Sequence, residues 1–158
     1  MKAKIREDRL ALAGELAGRP GEKVVFTNGV FDRLQPGHVA LLEFARSQGD
    51  LLVVGVNDDA SVRRLKGEKR PVFPVAERME VLAALECVDF VVPFAEDTPL
   101  ELIRALGRVD VLVKGGDYAP EQVVGRAEVE GRGGRLVIFR LAGDYSSSKL
   151  IEKIVRNS

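Results

Sequence analysis

One stretch of the chain gathers the residue types that hold a polyanion. Thr27-Asn28-Gly29-Val30-Phe31-Asp32-Arg33-Leu34-Gln35-Pro36-Gly37-His38 follows an apolar run and leads into a helical pattern that opens at or near Pro36. Gly29 permits a tight turn, and Gly37 lets the backbone approach a phosphate with no Cβ in the way. The first turn of a helix adds unpartnered N–H groups and the positive end of its dipole. His38, the only histidine of the chain, falls in that turn. Its ring either faces a bound phosphate or packs beneath a sheet, and the Gly/Pro-bounded helix start favours the former. No Gly-Lys-Ser/Thr follows, so this is not a Walker A loop, and with Gly29 and Gly37 alone it is not GxGxxG.

Other groups could serve the same chemistry. Arg63, Arg64, Lys66, Lys69 and Arg70 cluster around Gly67 and are closed off by Pro71 and Pro74, which reads as a mobile cationic lid or as a solvated basic loop. Arg78 sits near a helix start beside Glu77 and Glu80, its ordinary partners on a surface. Lys114-Gly115-Gly116-Asp117 follows a strand; its glycines can bring backbone close to a base or ribose while Asp117 accepts a hydroxyl hydrogen bond, the alternative being a plain turn. Ser146-Ser147-Ser148 precedes the last helical pattern as an N-cap or an anion site, which share geometry. Asp58, after Asn57, is read as a turn cap and given no chemistry.

The elements that must position these groups follow from hydrophobic pattern. Ile5, Leu12, Ala13, Leu16 and Ala17 predict a leader helix within residues 1–20, closed by Gly18-Arg19-Pro20-Gly21. Short β-branched runs predict strands at Val24–Thr27, Leu51–Val56, Phe90–Val92, Val109–Val113 and Leu136–Phe139. Helical patterns lie at His38–Ser47, Ala76–Leu85, Pro99–Leu106, roughly Glu121–Glu130, and Ser146–Val155. Continuous apolar strands alternating with helices imply right-handed crossovers, and so a Rossmann-like α/β fold: a five-stranded parallel sheet with helices on both faces. Ligands bind such sheets beyond the carboxyl ends of the strands, where most of the candidate residues fall.

Composition bounds the reading. The 158 residues suit one domain, 1–158, with the leader helix followed by an α/β core over 22–158. Twenty-four basic side chains balance 24 acidic ones, so no global field draws the chain to nucleic acid or an anionic membrane, and any polyanion site must be local. The single cysteine, Cys87, read inside an apolar helical stretch from Met79, excludes an internal disulfide or CxxC site and points to the cytoplasm. Neither a signal peptide nor a membrane span is expected.

The Thr27–His38 segment resembles the GxFDxxHxGH signature of the cytidylyltransferase-like nucleotidyltransferases. Within them the chain is similar to the adenylyltransferases of ADP-heptose synthesis, through Thr27-Asn28-Gly29-Val30-Phe31-Asp32, Val56-Asn57, Arg64-Leu65-Lys66-Gly67, Arg70-Pro71, Glu77-Arg78-Met79, Glu96-Asp97-Thr98-Pro99 and Lys114-Gly115-Gly116-Asp117-Tyr118. The resemblance implies attack by a sugar 1-phosphate oxygen on the α-phosphorus of ATP, with pyrophosphate leaving and Mg²⁺ bridging the triphosphate. It implies His38, Gln35, Lys66 and Arg78 as the catalytic set, with His38 at the α-phosphate, Gln35 at the β- and γ-phosphates, and Lys66 and Arg78 as phosphate clamps. It further implies a nucleotide site of Asn28, Gly29, Val30, Phe31, Gly37, His38, Lys114, Gly115, Asp117, Ser146, Ser147 and Ser148, the serines standing for an ISTT element. Asp32, Asn57 and Lys66 would meet the acceptor, D-glycero-β-D-manno-heptose 1-phosphate. No metal-ligating side chain is implied, a homodimer is, and the sugar kinase half of such proteins is not expected within these 158 residues.

One position departs from the pattern. Gln35 stands where the signature has its first histidine, and an amide can donate to a phosphate oxygen but carries no charge. Either Gln35 still orients the triphosphate, or the chain binds nucleotide without turnover. A glycerol-3-phosphate cytidylyltransferase or an FAD synthetase is the nearest alternative enzyme, and a dinucleotide-dependent oxidoreductase is disfavoured by the missing GxGxxG.

Overall fold

Side chains of a strand alternate between the two faces of its sheet, so a run that is apolar throughout requires cover on both. A computed structural model of the protein, which describes residues 2–140, shows that arrangement. β1 (Val24–Gly29), β2 (Leu51–Asn57), β3 (Phe90–Phe94), β4 (Val111–Gly115) and β5 (Arg135–Phe139) form one parallel sheet in the order β3-β2-β1-β4-β5. Phe26, Val53, Val92 and Leu112 project into one core with Leu12 and Leu16 of α1 (Arg9–Ala17) and Leu102, Ile103 and Leu106 of α5 (Leu100–Leu106). Val25, Leu52, Val54, Val91 and Val113 project into the other, against Leu42 and Ala45 of α2 (Pro36–Ser47) and Met79 and Leu82 of α4 (Val75–Ala83). The Rossmann-like five-stranded parallel sheet with helices on both faces is therefore the observed fold.

Several boundaries differ from the sequence reading. Ile5 is not on the leader helix; it forms a parallel bridge with Val91, and α1 starts only after Asp8, whose carboxylate caps it by accepting from the N–H groups of Leu10 and Ala11. The basic stretch read as a loop is largely helical: α3 (Asp59–Lys66) opens on Asp58, which accepts from Ser61 N–H at 2.9 Å. Cys87 lies beyond the end of α4 rather than within a helix. The helix read at Glu121–Glu130 is split into a 3₁₀ turn at Pro120–Gln122 and α6 (Arg126–Gly131), because Gly125 between them takes a left-handed φ of 94°. The pattern at Ser146–Val155 lies outside the described residues.

The loops at the carboxyl edge of the sheet are held by two buried ionic groups. Arg78, 2% exposed, donates from Nη1 to the carbonyls of Val30 and Asn57 at 2.8 and 2.7 Å, from Nε to that of Phe73 at 2.9 Å, and from Nη2 to the Asp59 carboxylate at 2.8 Å. One guanidinium thus joins the loops after β1 and β2 to the segment entering α4. Asp32, also 2% exposed, accepts from the N–H groups of Val72 and Phe73 at 2.8 and 2.9 Å and from Arg70 Nε at 2.8 Å. Burial alone would raise the pKa of Asp32; the two backbone donors and Arg70 outweigh it and hold the carboxyl below its ordinary 3.8.

Arg78→Ala strands three buried carbonyls and Asp59, so it is expected to lower the unfolding free energy by about 3–5 kcal/mol; a urea midpoint unchanged from wild type would refute this role. For Asp32 the folded pKa lies below the unfolded one, so its contribution is complete above about 3.8 and is lost as pH falls through the folded value. The stability gap between wild type and Asp32→Asn should therefore be full at neutral pH and shrink below that range, as read by urea unfolding at a series of pH values.

Candidate functional site

A cleft of about 480 Å³ opens at the carboxyl ends of the strands, with the end of β1 and the first turn of α2 at its centre. β1 runs into Gly29, Val30 and Phe31, and Phe31 adopts a left-handed φ of 50°, unusual for an aromatic residue. A Cβ on Gly29 would lie 2.9 Å from the Phe31 ring, so glycine there is what lets the ring fold back under the turn. Phe31 then meets His38 edge to face, ring centroids 5.8 Å apart.

α2 begins at Pro36 with Gln35 as its N-cap residue. The N–H of Gln35 donates to Nδ1 of His38 at 3.0 Å, and His38 is 4% exposed while lining the cleft. An N–H pointing at Nδ1 requires a lone pair there, so a neutral ring carries its proton on Nε2. The site thus presents a hydrogen-bond donor of fixed tautomer at a helix N-terminus, next to a turn made by Asn28, Gly29 and Val30.

Two lysines line the cleft on either side of this centre. Lys66 ends α3, and its pKa is lowered by burial and then by the charge of Arg70, with Asp32 opposing. Lys114, near the end of β4, is lowered by burial, and its Nζ lies 4.9 Å from the centroid of the Tyr118 ring. Gly115 and Gly116 continue the wall; a Cβ on Gly115 would press on Leu41 at 3.0 Å. Beyond them the lining of the cleft is apolar, with Leu112, Tyr118, Val123, Val124 and Phe139. At the other end the cleft reaches Asn57, Leu65, Asp97 and Thr98.

The structure therefore brings together Asn28, Gly29, Val30, Phe31, Gly37, His38, Asn57, Lys66, Lys114 and Gly115 of the residues expected from the sequence. It corrects others. Arg78 is no phosphate clamp here, since it does not line the cleft and four of its five N–H donors are engaged by three carbonyls and Asp59. Asp32 does not line the cleft, its carboxylate being occupied by Arg70, Val72 and Phe73. Asp117 points elsewhere, pairing with Arg140 at 3.3 Å with its side chain 85% exposed, because Gly116 turns the chain at a φ of 119°. Gln35 is not among the residues that line the cleft; its contact with His38 is made by its main-chain N–H. Ser146, Ser147 and Ser148 lie outside the described residues. The apolar part of the lining was not read from the sequence, and its signal, Tyr118 and Val123-Val124 close after a strand-end glycine pair, is weak. Among the described residues no three His, Cys, Asp or Glu side chains converge on a metal position, and no helix is long and apolar enough to cross a membrane.

The chain is similar to several known proteins. Over 135 residues, 85% of the chain, it is 60% identical to the bifunctional protein HldE of Citrifermentans bemidjiense, and over 155 residues, 98% of the chain, 55% identical to that of Geobacter metallireducens. The chain spans 28% and 31% of the length of these relatives. Among solved structures, a lipopolysaccharide core biosynthesis protein from Thermoplasma volcanium superposes with a TM-score of 0.63 at 25% identity, covering 79% of this chain and all of that one. The pantoate-beta-alanine ligase of Francisella tularensis, at 13% identity and a TM-score of 0.65 over 90% of this chain and 69% of its own, shares the fold. The cytidylyltransferase-like pattern itself matches residues 26–153, from β1 through the whole of the cleft, and the chain belongs to that family.

Proposed function

We propose that the chain is a nucleotidyltransferase that moves AMP from ATP to D-glycero-β-D-manno-heptose 1-phosphate, releasing pyrophosphate. The observation that carries this reading is one cleft that combines a helix N-terminus, a donor histidine and two flanking lysines with an apolar lining toward β4 and β5. That combination suits a nucleotide triphosphate held by its phosphates and its base. The heptose acceptor is supported by the HldE relatives and by the lipopolysaccharide core protein that superposes on the chain.

Catalysis in this reading is positioning and charge neutralisation. The N-terminus of α2 and Nε2–H of His38 stabilise the charge that builds on the α-phosphate, while Lys66 and Lys114 hold phosphate oxygens from either side. Mg²⁺ carried with the nucleotide would supply further charge neutralisation. A cytoplasmic homodimer that binds neither nucleic acid nor membrane is part of the proposal. Gln35 fits the catalytic reading because the contact that orients His38 uses the N–H of residue 35, which the exchange of side chain leaves in place.

Pyrophosphate release measured with ATP or CTP against heptose 1-phosphate, glycerol 3-phosphate and FMN tests the assignment; turnover only with CTP or with another acceptor would overturn it, as would ATP-induced thermal stabilisation with no turnover at all. His38→Ala should lower kcat by roughly 10²–10³-fold with the melting temperature little changed, whereas Gln35→His should keep or raise the rate. Because the protein has one histidine, long-range ¹H–¹⁵N NMR reads its ring directly: above the titration range the proton is expected on Nε2, and an Nδ1–H ring would contradict the assigned geometry.

A further inference from the structure

The cleft runs past Lys66 to the loop that joins β3 to α5, where Asp97 and Thr98 line its wall. This loop is fixed from three sides. Arg9 of α1 grips Glu96 through two bonds of 2.9 and 3.0 Å, the Ser61 hydroxyl donates to the Glu96 carbonyl at 3.2 Å, and Arg64 of α3 bonds both the Ala95 carbonyl and Oδ1 of Asp97, the latter at 2.8 Å. Oδ2 of Asp97 accepts no hydrogen bond from a described residue. The Asp97 side chain is 58% exposed and that of Arg64 49%, so the ion pair adds little to stability, yet it orients the carboxylate.

Charge decides what this carboxylate can meet. In a cleft that takes a triphosphate and a second phosphate, an anionic wall residue repels both. It is compatible only with neutral hydrogen-bond donors or with a cation. Lys66, at the end of the same helix as Arg64, adds a cationic group to the lining of this cleft. A cleft whose lining holds both a cation and an acceptor-only carboxylate matches a molecule that carries a phosphate and hydroxyls.

Resting on the proposed sugar 1-phosphate acceptor, we propose that Asp97 and Thr98 form the subsite that reads hydroxyls of the acceptor sugar, with Asp97 accepting their hydrogen bonds and Thr98 exchanging them. Asp97 is thereby a specificity residue for the acceptor and makes no contact with the nucleotide.

The test compares wild type with Asp97→Asn and Asp97→Ala by pyrophosphate release, varying ATP, heptose 1-phosphate and Mg²⁺ in turn, with melting temperatures recorded. The expected result is a KM for the acceptor raised about tenfold or more, as loss of a hydrogen bond to a charged group predicts, with KM for ATP, the Mg²⁺ requirement and the melting temperature unchanged. An unchanged acceptor KM overturns the subsite, and a raised Mg²⁺ requirement or ATP KM overturns it in favour of metal or nucleotide contact. A fall in melting temperature with proportionate loss of all parameters overturns it in favour of a structural ion pair. Failure of the wild type to use any sugar 1-phosphate would instead sink the proposed function, so the two failures are distinct.

Discussion

The site exists because a single buried guanidinium holds its loops together. The carboxyl edge of a parallel sheet is where each strand gives way to irregular chain, and those chain segments expose carbonyls that must find donors when they are buried. Arg78 supplies them from one side chain to Val30 after β1, to Asn57 at the end of β2, and to Phe73 ahead of its own helix. Asp59 balances its charge, and the same carboxylate oxygen accepts from Val75 N–H at the start of α4. Five donors in a planar fork suit this task, and a lysine, with three donors on a point charge, does not span such a set. The turn that places Phe31 under His38 begins at Val30, so the histidine depends on Arg78 without touching it.

The resemblance of motif and the role of a residue separate at this point. The triplet Glu77-Arg78-Met79 implied an arginine that clamps phosphate, whereas the structure turns that arginine inward. Its partners are main-chain carbonyls 48, 21 and 5 residues away in sequence, and a carbonyl leaves no trace in residue type. Asp32 is a similar case, since its partners Val72 and Phe73 are met through their N–H groups. What the sequence did reveal rests on side-chain pattern. Strands β1 to β4 were legible because burial on both faces demands unbroken β-branched and aromatic runs, the edge strand β5, none of whose residues is buried, from its short apolar run alone, and the start of α2 because glycine and proline there have positional meaning. The helix α3 escaped because Asp-Ala-Ser-Val-Arg-Arg-Leu-Lys buries only Ser61 and Val62, leaving Leu65 exposed, so its charges dominate the pattern.

A chain with equal numbers of acidic and basic groups can still build a cationic cleft if its carboxylates are engaged elsewhere. Asp50, Asp89 and Asp110 accept from the N–H groups of Lys23, Leu52 and Val24 at 2.7–2.8 Å, at the amino-terminal ends of β1 and β2 and so at the edge of the sheet opposite the cleft. Asp8 and Asp58 cap helices, and Asp32 and Asp59 secure the segment between α3 and α4. Each of these aspartates binds backbone, and none of them lines the cleft. Lys66 and Lys114 do line it, and the burial that lowers their pKa values also removes the water that would screen them. In the proposed function, a phosphate entering the cleft would restore to each lysine the stabilisation of charge that burial withdrew, so the attraction would be strongest where the anion is held and weak over the rest of a neutral surface.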